Sequence, residues 1–222
     1  MANGVAAQDP GELFDVVRAD GSPTGVTKPR AAVHRDGDWH RSIHVWIAGV
    51  GEDGEPFLVF QRRSGDKDTW PGRLDATVGG HYRSGETVRQ TLRETEEEIG
   101  VSVSLADLRP LGVRVCANEG ESGIVDRELQ DVFLLPSDRP LTDYRPNPAE
   151  LAALIRVPIG GVLALFVGDA AEIPAECLAP GAEGPAPTTV GLDDFIPNID
   201  RYFYRVAIAA GLVLRQERHV AV

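Results

Sequence analysis

The sequence has 222 residues, of which 42% are hydrophobic and 25% charged, a composition typical of a soluble globular protein. Its net charge of −12 argues against a nucleic acid or an anionic membrane as the main partner, but is compatible with a small anionic ligand that cations neutralise. The N-terminus lacks the features of a secretory signal, and no apolar run is long enough to span a bilayer. Cys116 and Cys177 lack CxxC spacing and are expected to be free thiols. We therefore expect a cytoplasmic protein.

Hydrophobic alternation and turn signals predict one α/β (α+β) domain over residues 1–222, with a core at about 40–170. An N-terminal strand and loop precede this core. The segment up to Trp39 is polar, and residues 169–192 are rich in Ala, Gly and Pro, so both are predicted to be loops. The predicted strands are 13–17, 41–50, 56–64, 74–80, 107–117, 129–136 and 151–158, and the predicted helices are 87–99, 160–168 and a C-terminal helix at 195–218.

The predicted helix at 87–99 is unusually rich in glutamate. At helical spacing, Glu94, Glu97 and Glu98 lie opposite the stripe that packs, and Arg93 is placed to reach Glu97. The packing stripe consists of Val88, Leu92, Thr95 and Ile99. Two interpretations follow from the residues alone. The glutamates form either a solvated acidic face or a Mg²⁺ site that serves a diphosphate, because Mg²⁺ prefers carboxylate, water and phosphate oxygens.

The pattern around these glutamates resembles the signature of the Nudix hydrolases, G-x5-E-x7-R-E-U-x-E-E-x-G-U, in which U is aliphatic. Here the match is Gly80-x5-Glu86 followed by Arg93-Glu94-Thr95-x-Glu97-Glu98-x-Gly100-Val101. Two departures are the loss of one residue between Glu86 and Arg93, and Thr95 at the first aliphatic position. The resemblance implies a mixed β-sheet sandwiched between α-helices.

The same resemblance implies the roles of the matching residues. Glu94, Glu97 and Glu98 would bind Mg²⁺ or Mn²⁺ together with the carbonyl oxygen of Gly80. Arg93 and Glu86 would hold this cluster in place. The general base would be a glutamate of the signature, Glu98 first, or Glu150, since some members take the base from a loop outside the signature.

Four further segments resemble the type I isopentenyl diphosphate isomerases, a branch with the same fold. They are HRDGDWH (34–40), FQRRSGDKDTWPG (60–72), TVGGH (77–81) and GIVDREL (123–129). The resemblance implies a second metal site and a basic cluster that binds the diphosphate. The positions that match the metal ligands are His34, His40, His81, Asp126 and Glu128, and those that match the basic cluster are Arg62, Arg63 and Lys67.

One difference from the isomerases bears on function. They carry a catalytic cysteine at the position of Gly79, which offers no titratable group. The sequence therefore favours a metal-dependent hydrolase of a nucleoside diphosphate derivative or another organic diphosphate. The alternatives are an isomerase-like enzyme and a catalytically silent ligand-binding domain. The substrate is not specified, and a homodimer is compatible with the sequence.

Overall fold

The computed structural model describes residues 9–67, 69–119 and 125–222. The strands are β1 (Leu13–Val17), β2 (Pro23–Pro29), β3 (Trp39–Val50), β4 (Pro56–Arg63), β5 (Leu74–Asp75), β6 (Val78–His81), β7 (Arg109–Glu119), β8 (Val125–Pro136), β9 (Leu151–Pro158), β10 (Glu172–Leu178) and β11 (Ala186–Gly191). The helices are α1 (Arg30–Asp36), α2 (Val88–Thr91), α3 (Arg93–Ile99), α4 (Ile159–Val167) and α5 (Tyr202–Leu214).

The strands form a mixed sheet with β3 at its centre. Its main path runs β11-β10-β9-β4-β3-β1-β2, with β8 parallel to β3 and β7 antiparallel to β8. Hydrophobic side chains cover both faces. One face packs Trp46, Leu58 and Phe60 against α4 and α5, and the other packs Ile43 and Val45 among the residues around α3. The predicted class, a mixed sheet sandwiched between helices, is confirmed.

The sheet divides where β3 changes its partner. Residues 42–45 of β3 pair with β6, and residues 47–50 pair with β4. Thr77 lies at this division, where its hydroxyl donates to the Val59 carbonyl and accepts the Ile47 N–H at 3.0 Å. Because β4 and β6 diverge here, a crevice opens between them.

Strands and helices with clear hydrophobic periodicity were predicted well. The predictions at 13–17, 41–50, 56–64 and 151–158 correspond to β1, β3, β4 and β9, and that at 160–168 corresponds to α4. The predicted strands at 107–117 and 129–136 correspond to β7 and β8, which are longer.

The loop prediction for residues 169–192 was wrong, because β10 and β11 form an antiparallel hairpin there. One of its buried positions is Ala175, a small residue with low strand propensity, and prolines interrupt the alternation of apolar and polar residues. The sequence therefore shows no clear strand pattern. Pro187 lies on the edge strand β11, which has no further described strand on its outer side. Proline, which lacks a backbone N–H, is tolerated on such an edge. Pro174 precedes residues 176–178, the part of β10 that pairs with β9.

The segment before Trp39 is also more ordered than predicted, since it contains β2 and α1. Strand β2 is largely exposed and therefore shows no apolar alternation. The predicted strand at 74–80 is divided into β5 and β6, since Ala76 and Thr77 leave the ladder. The predicted helix at 87–99 is interrupted at Leu92 between α2 and α3.

The C-terminal helix is shorter than the predicted 195–218. Asn198 accepts the Tyr202 backbone N–H through Oδ1 at 2.7 Å, and Arg201 has a left-handed backbone with φ of 53°. These features start α5 at Tyr202, since a side-chain acceptor caps the free N–H groups of a first helical turn. Among the residues that the structure describes, no helix is both long and apolar enough to cross a membrane.

Candidate active site

A cavity of about 450 Å³ lies at the crevice beside β6. Residues from β3, β6, α3 and β8 line it, together with Lys67, Trp70 and Glu150 from loops. Strand β6 is central because successive residues face opposite sides of a sheet. Gly80 pairs with Ile43 and faces α3, whereas Gly79 and His81 pair with His44 and Ser42 and face the other side.

Helix α3 lies very close to β6 at Gly80. A Cβ atom on Gly80 would stand 2.3 Å from Glu94 Cγ, so only glycine permits this approach. Glu98 also faces β6, where its Oε2 accepts the Gly79 N–H at 3.3 Å. Glu98 is 2% exposed, so the expectation that it lies away from the packing side was wrong. Glu97 lies at the rim, with 48% of its side chain exposed.

Arg93 connects the carboxylates of the signature. Its Nε lies 2.9 Å from Glu86 Oε1, and its NH1 lies 2.5 Å from Glu94 Oε1 and 2.9 Å from Glu97 Oε2. The interruption at Leu92 lets Glu86 reach Arg93 although the chain between them is one residue shorter than the signature. Arg93 therefore fixes the positions of three carboxylates at once.

Burial makes ionisation of the inner carboxylates unfavourable. It raises the pKa of Glu94 to about 7, with Arg93 opposing this rise and Glu97 adding to it. Burial also raises the pKa of Glu98 well above its usual range, opposed by Lys67 and supported by Glu94 and Glu150. In an environment of low dielectric constant, each ionised carboxylate makes ionisation of its neighbours less favourable. Bound cations would offset this cost, and the donor set is one that Mg²⁺ and Mn²⁺ accept.

The basic residues predicted to form one cluster are divided. Lys67 and Arg63 line the cavity, where Lys67 Nζ lies 2.5 Å from Glu150 Oε2 and Arg63 NH1 lies 3.2 Å from Asp75 Oδ2. Arg62 instead pairs with Asp194 at 3.2 Å and donates to the Gly72 carbonyl.

The predicted second metal site comes together on the other side of β6. The potential ligand atoms of His34, His40, His81 and Asp126 all lie within 4.8 Å of one another. Glu128 lies beside them, with Oε1 at 2.9 Å from His81 Nε2 and 3.8 Å from His40 Nε2. Among the residues that the structure describes, the buried atoms with no hydrogen-bond partner include His34 Nε2, His40 Nε2 and Asp126 Oδ1.

The other ring nitrogens show how well this set suits a metal. His40 Nδ1 lies 3.1 Å from the Asp38 carbonyl, which fixes the proton on Nδ1 and leaves the lone pair on Nε2. His81 differs, because Arg30 NH1 donates to its Nδ1 at 3.0 Å and thereby favours the proton on Nε2. A metal bound through His81 Nε2 therefore requires Arg30 to release the ring.

Burial keeps these histidines neutral, as metal ligands must be. It lowers the pKa of His34 to about 4 and that of His81 to about 3, and Arg30 adds to both shifts. Phe14 stacks on the rings of His40 and His81 with centroids 5.4 and 4.9 Å away. Phe14 and Arg30 were not predicted as site residues, because only the pairing of β1 and β2 brings them here. Residues 123 and 124 of the GIVDREL segment lie outside the described residues.

Comparisons with known proteins identify the family. The model of the NUDIX domain matches residues 40–175, more than half of the chain. Nudix hydrolase 3 of Arabidopsis thaliana is 38% identical over 155 residues, which cover 68% of this chain but 19% of that protein. An uncharacterized Nudix hydrolase of Clostridium acetobutylicum is 28% identical over 187 residues, 82% of this chain and 89% of that protein.

The isomerase resemblance is also confirmed. Isopentenyl-diphosphate Delta-isomerase of Paenarthrobacter aurescens is 33% identical over 143 residues, 64% of this chain and 73% of that enzyme. Among solved structures, a protein of Deinococcus radiodurans has the same fold, with a TM-score of 0.52, 22% identity and coverage of 78% of this chain and 94% of that one. The chain belongs to the Nudix family.

The buried position of Glu98 gives a prediction for the metal-free protein. We expect Glu98→Gln to raise Tm in EDTA at pH 8 and to leave it nearly unchanged at pH 4. A carboxyl with a raised folded-state pKa contributes full stability below its unfolded pKa, and loses that contribution as the pH rises towards the folded pKa. Glutamine keeps the shape without this loss. At roughly 2–4 °C per kcal/mol for a chain of this size, the gain at pH 8 should be several degrees.

Calorimetry at both pH values checks this prediction. Glu96→Gln is the control, because Glu96 is an exposed neighbour on α3. An equal effect of Glu98→Gln at pH 4 and pH 8 would show that ionisation of Glu98 is not the cause.

Proposed function

We propose that this chain hydrolyses the diphosphate linkage of a nucleoside diphosphate derivative or another organic diphosphate, with Mg²⁺ or Mn²⁺ as cofactor. The observation that carries the proposal is the crowding of the buried Glu98 and the largely buried Glu94 beside Glu97 and Glu150 at one cavity. A solvated acidic face would not bury its carboxylates. When bound, the cations would neutralise the diphosphate and activate the attacking water.

The residues around this cavity divide the remaining tasks. Glu94, Glu97, Glu98 and the Gly80 carbonyl would hold the cations, and Arg93 with Glu86 would orient the carboxylates. Arg63 and Lys67 lie on the wall, where their charges suit phosphate oxygens. Arg62 is a weaker candidate than the sequence implied, because Asp194 already pairs with it.

We assign the general base to Glu150. It lines the cavity and lies close enough to Glu94 and Glu98 to raise their pKa values. Lys67 fixes its carboxylate through the 2.5 Å contact. Glu98, the other candidate, would be occupied as a cation ligand. A base must be able to take a proton from water, and Glu150 keeps Oε1 outside the contact with Lys67 for this purpose.

Isomerase chemistry is disfavoured by the same cavity. Gly79 carries no side chain that could exchange a proton. Cys116 also lines the cavity, but burial raises the pKa of its thiol to about 12. A silent binding domain is disfavoured because it would have no need for the complete set of Arg93 and its three glutamates.

We further propose that His34, His40, His81 and Asp126 hold a second divalent cation, with Glu128 beside them. Three unpartnered buried atoms among the described residues, His34 Nε2, His40 Nε2 and Asp126 Oδ1, support this, since buried polar groups normally have partners. We also propose that residues 9–222 form one domain, because β1, β2 and α5 all pack on the sheet or pair with it.

Loss of a carboxylate at the proposed cation site of Glu94, Glu97 and Glu98 should abolish most activity. We expect Glu97→Gln and Glu98→Gln each to lower kcat by more than about tenfold, because a ligand that stabilises charge in the transition state is lost. A screen of organic diphosphates with Mg²⁺ or Mn²⁺ and detection of released phosphate or nucleotide provides the assay. Circular dichroism confirms that the variants fold, and Glu96→Gln is the matched control. Wild-type rates for both variants at saturating Mg²⁺ would rule out this assignment.

The assignment of the base is tested by pH dependence. We expect Glu150→Gln to remove the acidic limb of the pH–rate profile and to lower kcat more than it changes KM. The control is Glu52→Gln, an exposed turn residue on the β3–β4 hairpin. A Glu150→Gln enzyme with the wild-type profile would return the role to Glu98.

The second cation site is tested without an activity assay. After exposure to Zn²⁺ or Mn²⁺ and dialysis, we expect elemental analysis to find about one metal equivalent fewer in His40→Ala and Asp126→Asn than in the wild type. His219→Ala should retain the wild-type content, because His219 is exposed and outside the cluster. Equal metal content in all four proteins would remove the site.

A further inference from the structure

The space beside Gly79 is bounded by two nitrogen atoms that no part of the proposed reaction uses. A Cβ atom at Gly79 would lie 3.7 Å from both His44 Nε2 and Gln61 Nε2. His44 lines the cavity, and its Nε2 has no hydrogen-bond partner among the described residues. Because Gly79 has no side chain, nothing of its own separates these atoms from the cavity.

A buried hydrogen-bond chain fixes the proton on His44. Trp46 Nε1 donates to the Tyr202 hydroxyl at 2.9 Å, since an indole nitrogen is only a donor. The hydroxyl lies 3.0 Å from His44 Nδ1, the remaining partner for its own proton within the described structure. Burial lowers the pKa of His44, so the ring is neutral. Nδ1 therefore accepts, and the ring proton is on Nε2, which points towards the cavity as a donor.

The phenol in this chain is held firmly. Tyr202 is fully buried, and the Arg114 guanidinium lies 4.0 Å above its ring. Asp200 accepts from Arg114 at 2.9 and 3.1 Å, which keeps the guanidinium in place. Such support fixes the direction of the His44 N–H and reduces the entropy lost when a ligand binds.

The chemistry of the two nitrogens selects a ligand. Both are neutral donors, so they suit an oxygen atom that accepts hydrogen bonds. His44 lies on the face of β6 opposite Gly80 and the α3 glutamates, and Gln61 Nε2 borders the same space from β4. The pair is therefore placed for the organic part of a substrate whose diphosphate lies at the cations. A hydrocarbon chain would leave both donors unpartnered on burial, which is costly.

We propose that His44 and Gln61 form a specificity subsite, open because residue 79 is glycine, that binds a hydroxyl or carbonyl oxygen of the substrate's organic group. The subsite then favours an organic group that carries a hydroxyl or carbonyl oxygen over a hydrocarbon chain. This inference rests on the proposed hydrolase function and specifies the substrate of the same site.

Gly79→Ala is the sharpest test, because its Cβ has room to fit. The nearest atoms would be 3.6 Å away, an ordinary van der Waals contact, and the backbone is outside the left-handed region. The methyl group would fill the oxygen position without disturbing the fold. Gly160→Ala is the matched control, since the added Cβ would meet nothing within 4 Å and Gly160 lies on α4 outside the cavity wall.

The kinetic arm compares ADP-ribose and UDP-glucose with isopentenyl and dimethylallyl diphosphate. We expect the wild type to favour the better polar compound by at least about tenfold in kcat/KM. Gly79→Ala and His44→Leu should each lower this value by about tenfold, mainly through KM, while His44→Asn recovers part of the loss. Neither change should reduce the value for the isoprenoid compounds. Unchanged values for the polar compounds, or equal losses for both classes, would overturn the proposal.

The binding arm separates this inference from the hydrolase proposal. In ¹⁵N NMR spectra recorded in EDTA, we expect ADP-ribose or UDP-glucose to shift the His44 Nε2–H signal in the wild type and not in Gly79→Ala. Methylenediphosphonate, which offers phosphate oxygens alone, should leave the signal in place. An equal shift with methylenediphosphonate would place a phosphate oxygen at the subsite and overturn the proposal. If the signal responds as expected while no diphosphate is hydrolysed, the subsite stands and the hydrolase proposal fails.

Discussion

The close approach of α3 to β6 at Gly80 is the constraint on which the cavity depends. A side chain at this position would overlap Glu94, so the helix could not lie against the strand with its carboxylates turned inward. The approach has a free-energy cost, because it buries Glu94 and Glu98 next to each other. Arg93 and Lys67 offset part of this cost, and the proposed cations would offset more. The same contact therefore shapes the site and gives it an excess of negative charge that cations would neutralise.

Strand β6 connects two chemically different environments through its alternation. Gly80 faces the glutamates of α3, and its neighbours Gly79 and His81 face the histidine cluster and His44. A one-residue shift in the pairing of β6 with β3 would exchange these faces. Thr77, which bonds to both β3 and β4 immediately before β6, helps to hold this register. Strand β6 thus positions the residues of both proposed cation sites next to the same cavity.

The sequence predicted best what depends on local periodicity. Strands β3, β4 and β9 and helix α4 bury regular apolar positions, and their predictions agree closely with the structure. The β10–β11 hairpin, β2 and α1 bury few large side chains, and pairing with distant strands stabilises them, which a local pattern does not reveal. For the site, the spacing of the signature grouped Glu94, Glu97 and Glu98, which line the cavity, and Arg93 contacts two of them. It did not reveal that Asp194 pairs with Arg62, or that Phe14, Arg30 and His44 lie near the predicted metal ligands, because those contacts depend on the register of the whole sheet.

The relation to the isomerases follows from the same register. The resemblance in sequence includes the histidines of the cluster and the Gly80–His81 pair, whereas residue 79, which matches the position of the isomerases' catalytic cysteine, is glycine. In this chain the change to glycine removes a thiol and at the same time opens the space that His44 and Gln61 border. Tyr202 on α5 and Trp46 on β3 orient the His44 ring. Its Nε2–H group therefore points in a fixed direction into the space beside Gly79. The lack of a thiol at residue 79 only disfavours isomerase chemistry. The ordered donors behind it give a reason to expect a different class of substrate at the same position.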